Sequence, residues 1–156
     1  MIKPYKISVP KSTLNNIYKK VRAYPWKMMQ NVDGWEYGTN YNFLKKISKY
    51  WVSKYNWKKF ENKINSFRNY KTNVDGINLH FIVEKSKNPK SRPLLLLHGW
   101  PGSVIEFFNI IPRLAHPEKF GGKIEDGFDV IVPSLPGFGF STPIKKALGP
   151  RKIGRI

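Results

Sequence analysis

The sequence has 156 residues, no cysteine, and 40% hydrophobic and 15% aromatic residues, which allows one domain with a sizeable core and excludes disulfide frameworks, thiolate metal sites and compositional disorder. Its 28 basic and 10 acidic side chains leave a net charge of +18, but the lysines are spread along the chain and arginines are few, so the surplus reads as a solvated surface rather than a nucleic-acid face. No apolar run approaches roughly 18 residues and MIKPYKISVPKS has no continuous apolar stretch, so neither a membrane anchor nor a secretory leader is expected, and the chain reads as cytoplasmic.

Up to about residue 72 the apolar residues recur at helical spacing; after it, β-branched runs alternate with turns. Two regions are therefore expected, a helical one over 1–72 and a sheet-forming one over 73–156. The first helix is bounded by Pro10 and Ser12, carries Leu14, Ile17, Tyr18 and Val21 on one face, and ends by Pro25. Asn40 is a candidate cap for a second helix with Leu44, Ile47 and Trp51 on one side. Trp57, Phe60, Ile64 and Phe67 suggest a third. At this spacing the aromatics are expected in the core rather than as a base-stacking platform.

From Tyr70 the period becomes two. KTNV and INLHFIVE flank Asp75-Gly76, a strong hairpin signal. In the second run Ile77, Leu79, Phe81 and Val83 alternate with Asn78, His80, Ile82 and Glu84, so His80 is expected opposite the more apolar face, as a surface or strand-packing residue and not a catalytic one. Leu94 to Leu97 read as a strand buried on both faces of a parallel sheet. Ser103 to Glu106 fits a capping box, opening a helix with Val104, Phe107, Phe108, Ile111 and Leu114 on one stripe. Phe128 to Val132 form another buried strand, followed by the turn PSLPGFGFS. Strand, loop, helix, strand makes a βαβ unit, and the two loops at the strand ends, HGWPG and PGFGFS, are expected to share one crevice.

The glycines of these loops do not make a nucleotide site: there is no G-x-G-x-x-G and no G-x-x-x-x-G-K-[ST]. His80, His98 and His116 have no metal-ligand spacing, so no metal is expected. There is also no G-x-S-x-G elbow, and no aspartate takes the serine's place between two such glycines. The HGWP turn leaves two readings open. Its glycine lets backbone N–H groups point outward, so the N–H of Trp100, near a helix start, makes half of an oxyanion hole with the indole walling a pocket. Otherwise it is a tight strand-to-helix loop with a buried tryptophan.

The motif HGWPGS after an apolar strand, then EFFNII and FDVIVPSLPGFGFS, resembles the microsomal-type (juvenile-hormone and xenobiotic) epoxide hydrolases of the α/β-hydrolase superfamily. The upstream stretches W-x-Y-G (Trp35 to Gly38), Tyr50-Trp51, YNWKKFE (Tyr55 to Glu61), INSF (Ile64 to Phe67) and VDGINLHFI (Val74 to Ile82) are similar to that family's N-terminal region, and the closing GPRKIGRI to the start of its next helix. The resemblance implies an α/β fold, here a helical segment followed by the first half of an α/β-hydrolase sheet ordered 1-2-4-3. It implies water addition to a small-molecule epoxide through an aspartyl ester, without metal or organic cofactor. It places His98, Gly99, Trp100 and Pro101 in the oxyanion loop, with the Trp100 N–H as donor. The family's nucleophilic aspartate, cap tyrosines, acid partner and catalytic histidine lie downstream of the motifs matched here. The 156 residues alone are accordingly expected to be inactive and marginally folded, with the Leu94 strand as an apolar sheet edge. A serine esterase of the same fold and a basic, non-catalytic interaction module are the alternatives.

Overall fold

The computed structural model of the protein describes residues 1–30 and 34–144; the GPRKIGRI segment lies outside them. The chain divides into two compact units, one of Ser8–Glu61 and one of Met1–Ile7 with the chain from Asn62 onward. This division falls before the composition change near residue 72, which lies inside a strand.

The Ser8–Glu61 unit holds helices α1 (Lys11–Arg22) and α2 (Tyr41–Ser53) and the start of α3 (Trp57–Asn65). Pro10 stands before α1, where its missing N–H costs nothing. The Asn40 side chain accepts from the Phe43 N–H at 3.0 Å and caps α2, as its position before the helix predicts. The aromatics of this unit do not form the expected closed core. Leu14, Ile17, Tyr18, Ile47, Tyr50 and Trp51 line an open apolar groove of about 440 Å³, and Tyr50 and Trp51 remain half-exposed. A pair of helices buries one stripe of each and leaves large aromatics at the stripe's margin in solvent. The polar anchor of the unit is Glu61. Its carboxylate takes hydrogen bonds from the Val9 N–H at 2.7 Å, the Trp57 indole at 2.9 Å and Lys58 at 2.6 Å. The Lys58 bond, then the Val9 amide, hold its pKa down at about 2.

The other unit is built on a five-stranded sheet in the order β1-β2-β3-β5-β4, from β1 (Lys3–Pro4), β2 (Arg68–Val74), β3 (Ile77–Glu84), β4 (Pro93–Leu95) and β5 (Asp129–Pro133). The order β2-β3-β5-β4 reproduces the 1-2-4-3 arrangement. β2 and β3 pair in register around Asp75 (φ 49°) and Gly76 (φ 82°), two left-handed residues of the kind a two-residue hairpin turn needs. β3 meets β5 antiparallel; β4 and β5 run parallel, joined by the expected crossover. The helix of that crossover is broken. Val104–Phe107 is a 3-10 turn, and α4 (Ile111–Ala115) starts afresh around Pro112. Proline has no N–H to continue the ladder, so the stripe is carried by two short pieces. It still packs: Val104, Phe108, Ile111 and Ala115 are buried, as are Ile82, Val130 and Val132 of the sheet.

Two expectations about the sheet are corrected. The leucine run is not buried on both faces: only Pro93–Leu95 is strand, and Leu95 and Leu97 are each 57% exposed. β4 is the outer strand among the described residues, so it has a neighbour on one side only. Of the two readings of His80, as a surface or as a strand-packing residue, the second holds and the first does not: it is fully buried, on the same side of β3 as Ile82. No helix of the described residues is long and apolar enough to cross a membrane.

Candidate functional site

Because β4 and β5 are parallel neighbours, the loops that follow them leave the sheet at the same end. The structure thus brings HGWP and PGFGFS together as the spacing implied. The link between them is His98, which is buried. The Leu135 N–H donates to its Nε2 at 3.1 Å, and an amide can only donate, so Nε2 is the acceptor and Nδ1 carries the proton. That Nδ1–H faces the Gly99 carbonyl at 3.0 Å. The Phe138 ring meets the imidazole edge-on at 5.1 Å between centroids. One histidine therefore fixes its own turn and the loop from the adjacent strand.

Gly99, Trp100 and Pro101 project from this anchor. The Trp100–Pro101 peptide is cis. Trp100 is 84% exposed, so its indole neither fills a core nor walls a pocket among the described residues, against both readings of the ring. Its N–H makes no hydrogen bond within the described residues. Behind it, Glu106 Oε1 accepts from the Ser103 N–H at 2.9 Å, the carboxylate half of the expected capping box. Gly102 is required here by close approach, because a Cβ would collide with the Glu106 carboxylate and come within 2.8 Å of the Gly99 carbonyl.

Beneath the loops lies a buried polar network that the sequence reading missed. Asn69 donates from Nδ2 to the Ile64 and Phe67 carbonyls at 3.0 and 2.8 Å, which turns its Oδ1 toward His80 Nε2 at 3.0 Å. His80 therefore carries its proton on Nε2 and accepts at Nδ1 from the Ser134 hydroxyl at 2.8 Å. The His80 N–H donates to Ser141 Oγ at 2.9 Å, and that hydroxyl donates to the Ser134 carbonyl at 2.7 Å. Tyr5 and Phe140 close over the ring edge-on. Burial first, and the charge of Lys71 second, push the His80 pKa down to about 4. The signal available in the sequence was phase: His80 shares its side of β3 with Ile82.

His116 stands apart, with Nε2 at 2.8 Å from Glu84 Oε1. Among the described residues no three histidine, aspartate or glutamate side chains converge as a metal site would require.

Comparison with known proteins gives these positions a context. The family profile described as "Epoxide hydrolase N terminus" matches residues 2–107, and that of the alpha/beta hydrolase fold matches residues 92–149. A curated protein of Stigmatella aurantiaca is 43% identical over 155 residues, 99% of this chain and 35% of that protein. Epoxide hydrolase 1 of Oryctolagus cuniculus is 38% identical over 151 residues, 93% of this chain and 33% of that protein. The crystal structure of juvenile hormone epoxide hydrolase from the silkworm Bombyx mori superposes with a TM-score of 0.84 at 32% identity, covering 98% of this chain and 37% of that one. The chain spans about a third of the length of the curated relatives it matches.

Proposed function

The chain belongs to the epoxide hydrolase family, as its N-terminal region joined to the start of an α/β-hydrolase core, and on that premise we propose that it supplies the oxyanion-binding loop of an enzyme that opens small-molecule epoxides to diols. The observation that carries this reading is the Trp100 N–H, unbonded within the described residues and held at the end of β4 by His98.

In the reaction so proposed, an aspartate carboxylate attacks one epoxide carbon and the C–O bond breaks. The alkoxide oxygen takes a proton from a tyrosine, which leaves a hydroxyalkyl ester. Water, deprotonated by a histidine paired with a carboxylate, attacks the ester carbonyl, and negative charge collects on the carbonyl oxygen. The Trp100 N–H donates to that oxygen; collapse of the intermediate breaks the ester C–O bond, the proton of the added hydroxyl passes to the leaving alkoxide so that the diol departs and the carboxylate returns, and the proton held by the histidine restores the tyrosine. The aspartate, tyrosines and histidine follow from the family resemblance. This chain contains no G-x-D-x-G or G-x-S-x-G elbow, so residues 1–156 by themselves are proposed to have no turnover.

The test is a chimera in which residues 1–156 replace the matching third of the Stigmatella aurantiaca relative, assayed for diol release from a styrene-type epoxide. The chimera is expected to turn over and the 156-residue chain to give only the solvent rate. Diol formation by the chain alone, or an inert but folded chimera, would overturn the proposal.

A further inference from the structure

We infer that His80 is a positioning residue for the oxyanion loop, acting through Ser134, Leu135 and His98 on the Gly99–Trp100 peptide. This rests on the reading of Trp100 as the oxyanion donor and extends it to a residue some distance along the chain that touches neither substrate nor the loop itself.

The path is a run of hydrogen bonds with defined donors. Ser134 is held by all three of its polar groups: Oγ donates to His80 Nδ1, its N–H donates to the His80 carbonyl at 2.9 Å, and its carbonyl accepts from Ser141 Oγ. A residue held three ways has its peptide plane to the next residue fixed. That next N–H, of Leu135, is the one that donates to His98 Nε2. The bond selects the Nδ1–H form of His98, and only that form donates to the Gly99 carbonyl. The Gly99 carbonyl and the Trp100 N–H belong to one peptide unit, so orienting the first orients the second. The same loop is also stitched to β3 by the Thr142 N–H on the Asn78 carbonyl and the Asn78 N–H on Thr142 Oγ1, both at 3.0 Å. Those bonds secure the loop's far end; the Ser134–Leu135 peptide itself is held by Ser141 Oγ on its carbonyl and, from the Ser134 side, by the two bonds of the His80–Ser134 pair.

His80 suits the task because it offers an acceptor and a donor on opposite sides of a rigid ring, each with one buried partner. Protonation would put a second N–H where Ser134 donates; burial keeps the ring neutral until well below pH 6.

The coupling is tested on the full 156-residue chain with ¹⁵N-labelled histidine rings, whose nitrogen shifts report the tautomer of each of the three histidines. In the unaltered chain His80 is expected as the Nε2–H form and His98 as the Nδ1–H form. Ser134→Ala removes one hydroxyl, and should convert His98 to a tautomer mixture and speed exchange of the Leu135 amide by about tenfold or more. His80→Leu should do the same; His80→Asn, which keeps an acceptor facing Ser134, should restore the His98 signature. His116, bonded to Glu84 rather than to this network, should stay unchanged, whereas a purely structural role for His80 would loosen all sites together. An unaltered His98 in Ser134→Ala, or a His116 that shifts equally, would overturn the inference. If His80→Leu does not fold, the Ser134→Ala result decides. Because the readout needs no epoxide, a failure of this coupling is distinct from an inactive chimera, which would count against the reaction alone.

Discussion

In the proposed reaction Trp100 contributes through its backbone, and its side chain is dispensable by comparison. The ring is solvent-exposed and the N–H is unbonded within the described residues, so the two roles separate by mutation. In the active chimera, Trp100→Ala keeps the donor and is expected to stay within about tenfold of the parent kcat, a change of about 1.4 kcal/mol at most. Trp100→Pro deletes the donor and should lower kcat by about 10²–10³, the usual cost of one lost oxyanion contact. Steady-state kinetics on the two variants check this; equal losses would mean the ring matters as much as the N–H. At this scale the HGWP turn was legible because its residue types are themselves unusual. The His80 network was not, since a serine, an asparagine and a second serine far apart in sequence carry no local pattern. They become a unit only when β2, β3 and the loop after β5 meet.

The elements divide by whether their cause is local. Helix α2 starts where Asn40 says it should, because a cap depends only on the next few amides. Asn40→Ala is expected to destabilise the helical unit by about 1 kcal/mol, read as a lower thermal midpoint with an unaltered far-UV spectrum at low temperature. The Asp75-Gly76 hairpin was legible for the same reason. The leucine strand departs from the doubly buried reading because four apolar residues fit a buried strand wherever they occur; among the described residues Leu94 and Leu96 are partly covered while Leu95 and Leu97 are exposed, so only one face of the run is packed. The crossover helix was read as continuous although Pro112 lay in view, since its apolar stripe runs through both short pieces. The β4 edge has a consequence of its own. Among the described residues β4 is the outer strand and Leu95 and Leu97 expose apolar surface beside it, which favours edge-to-edge association. Leu95→Lys with Leu97→Lys is expected to shift the 156-residue chain toward monomer in sedimentation velocity. Unchanged association would place the contact elsewhere.

For the whole molecule, the two units should lose stability to acid in different windows. In the sheet-containing unit, His80 is held at about pKa 4 from an ordinary value of 6.5 by burial and by Lys71. The unfolded chain binds that proton first, so the stability His80 contributes is complete above pH 6.5 and is lost as pH falls through about 4. Asp129 adds to the loss lower down: the Lys85 hydrogen bond holds its carboxyl below the usual 3.8. In the helical unit the main titrating anchor is Glu61, held at about 2 from 4.5 by Lys58 and the Val9 amide. Its contribution is complete above pH 4.5 and is lost only as pH approaches 2. Between pH 6.5 and 4.5 acid should therefore weaken the sheet-containing unit and leave the helical unit nearly untouched. Residue-resolved amide exchange at pH 6.5 and pH 5 reads this directly, once the intrinsic pH dependence of exchange is divided out. Protection of β3 and β5 should fall while that of α1 and α2 holds. His80→Asn, with no titrating ring, should abolish the fall in β3 and β5, and Glu61→Gln should make the helical unit weaker near neutral pH but indifferent to acid below 4.5. Parallel loss in both units at pH 5, or a fall that survives His80→Asn, would show that His80 does not govern this range.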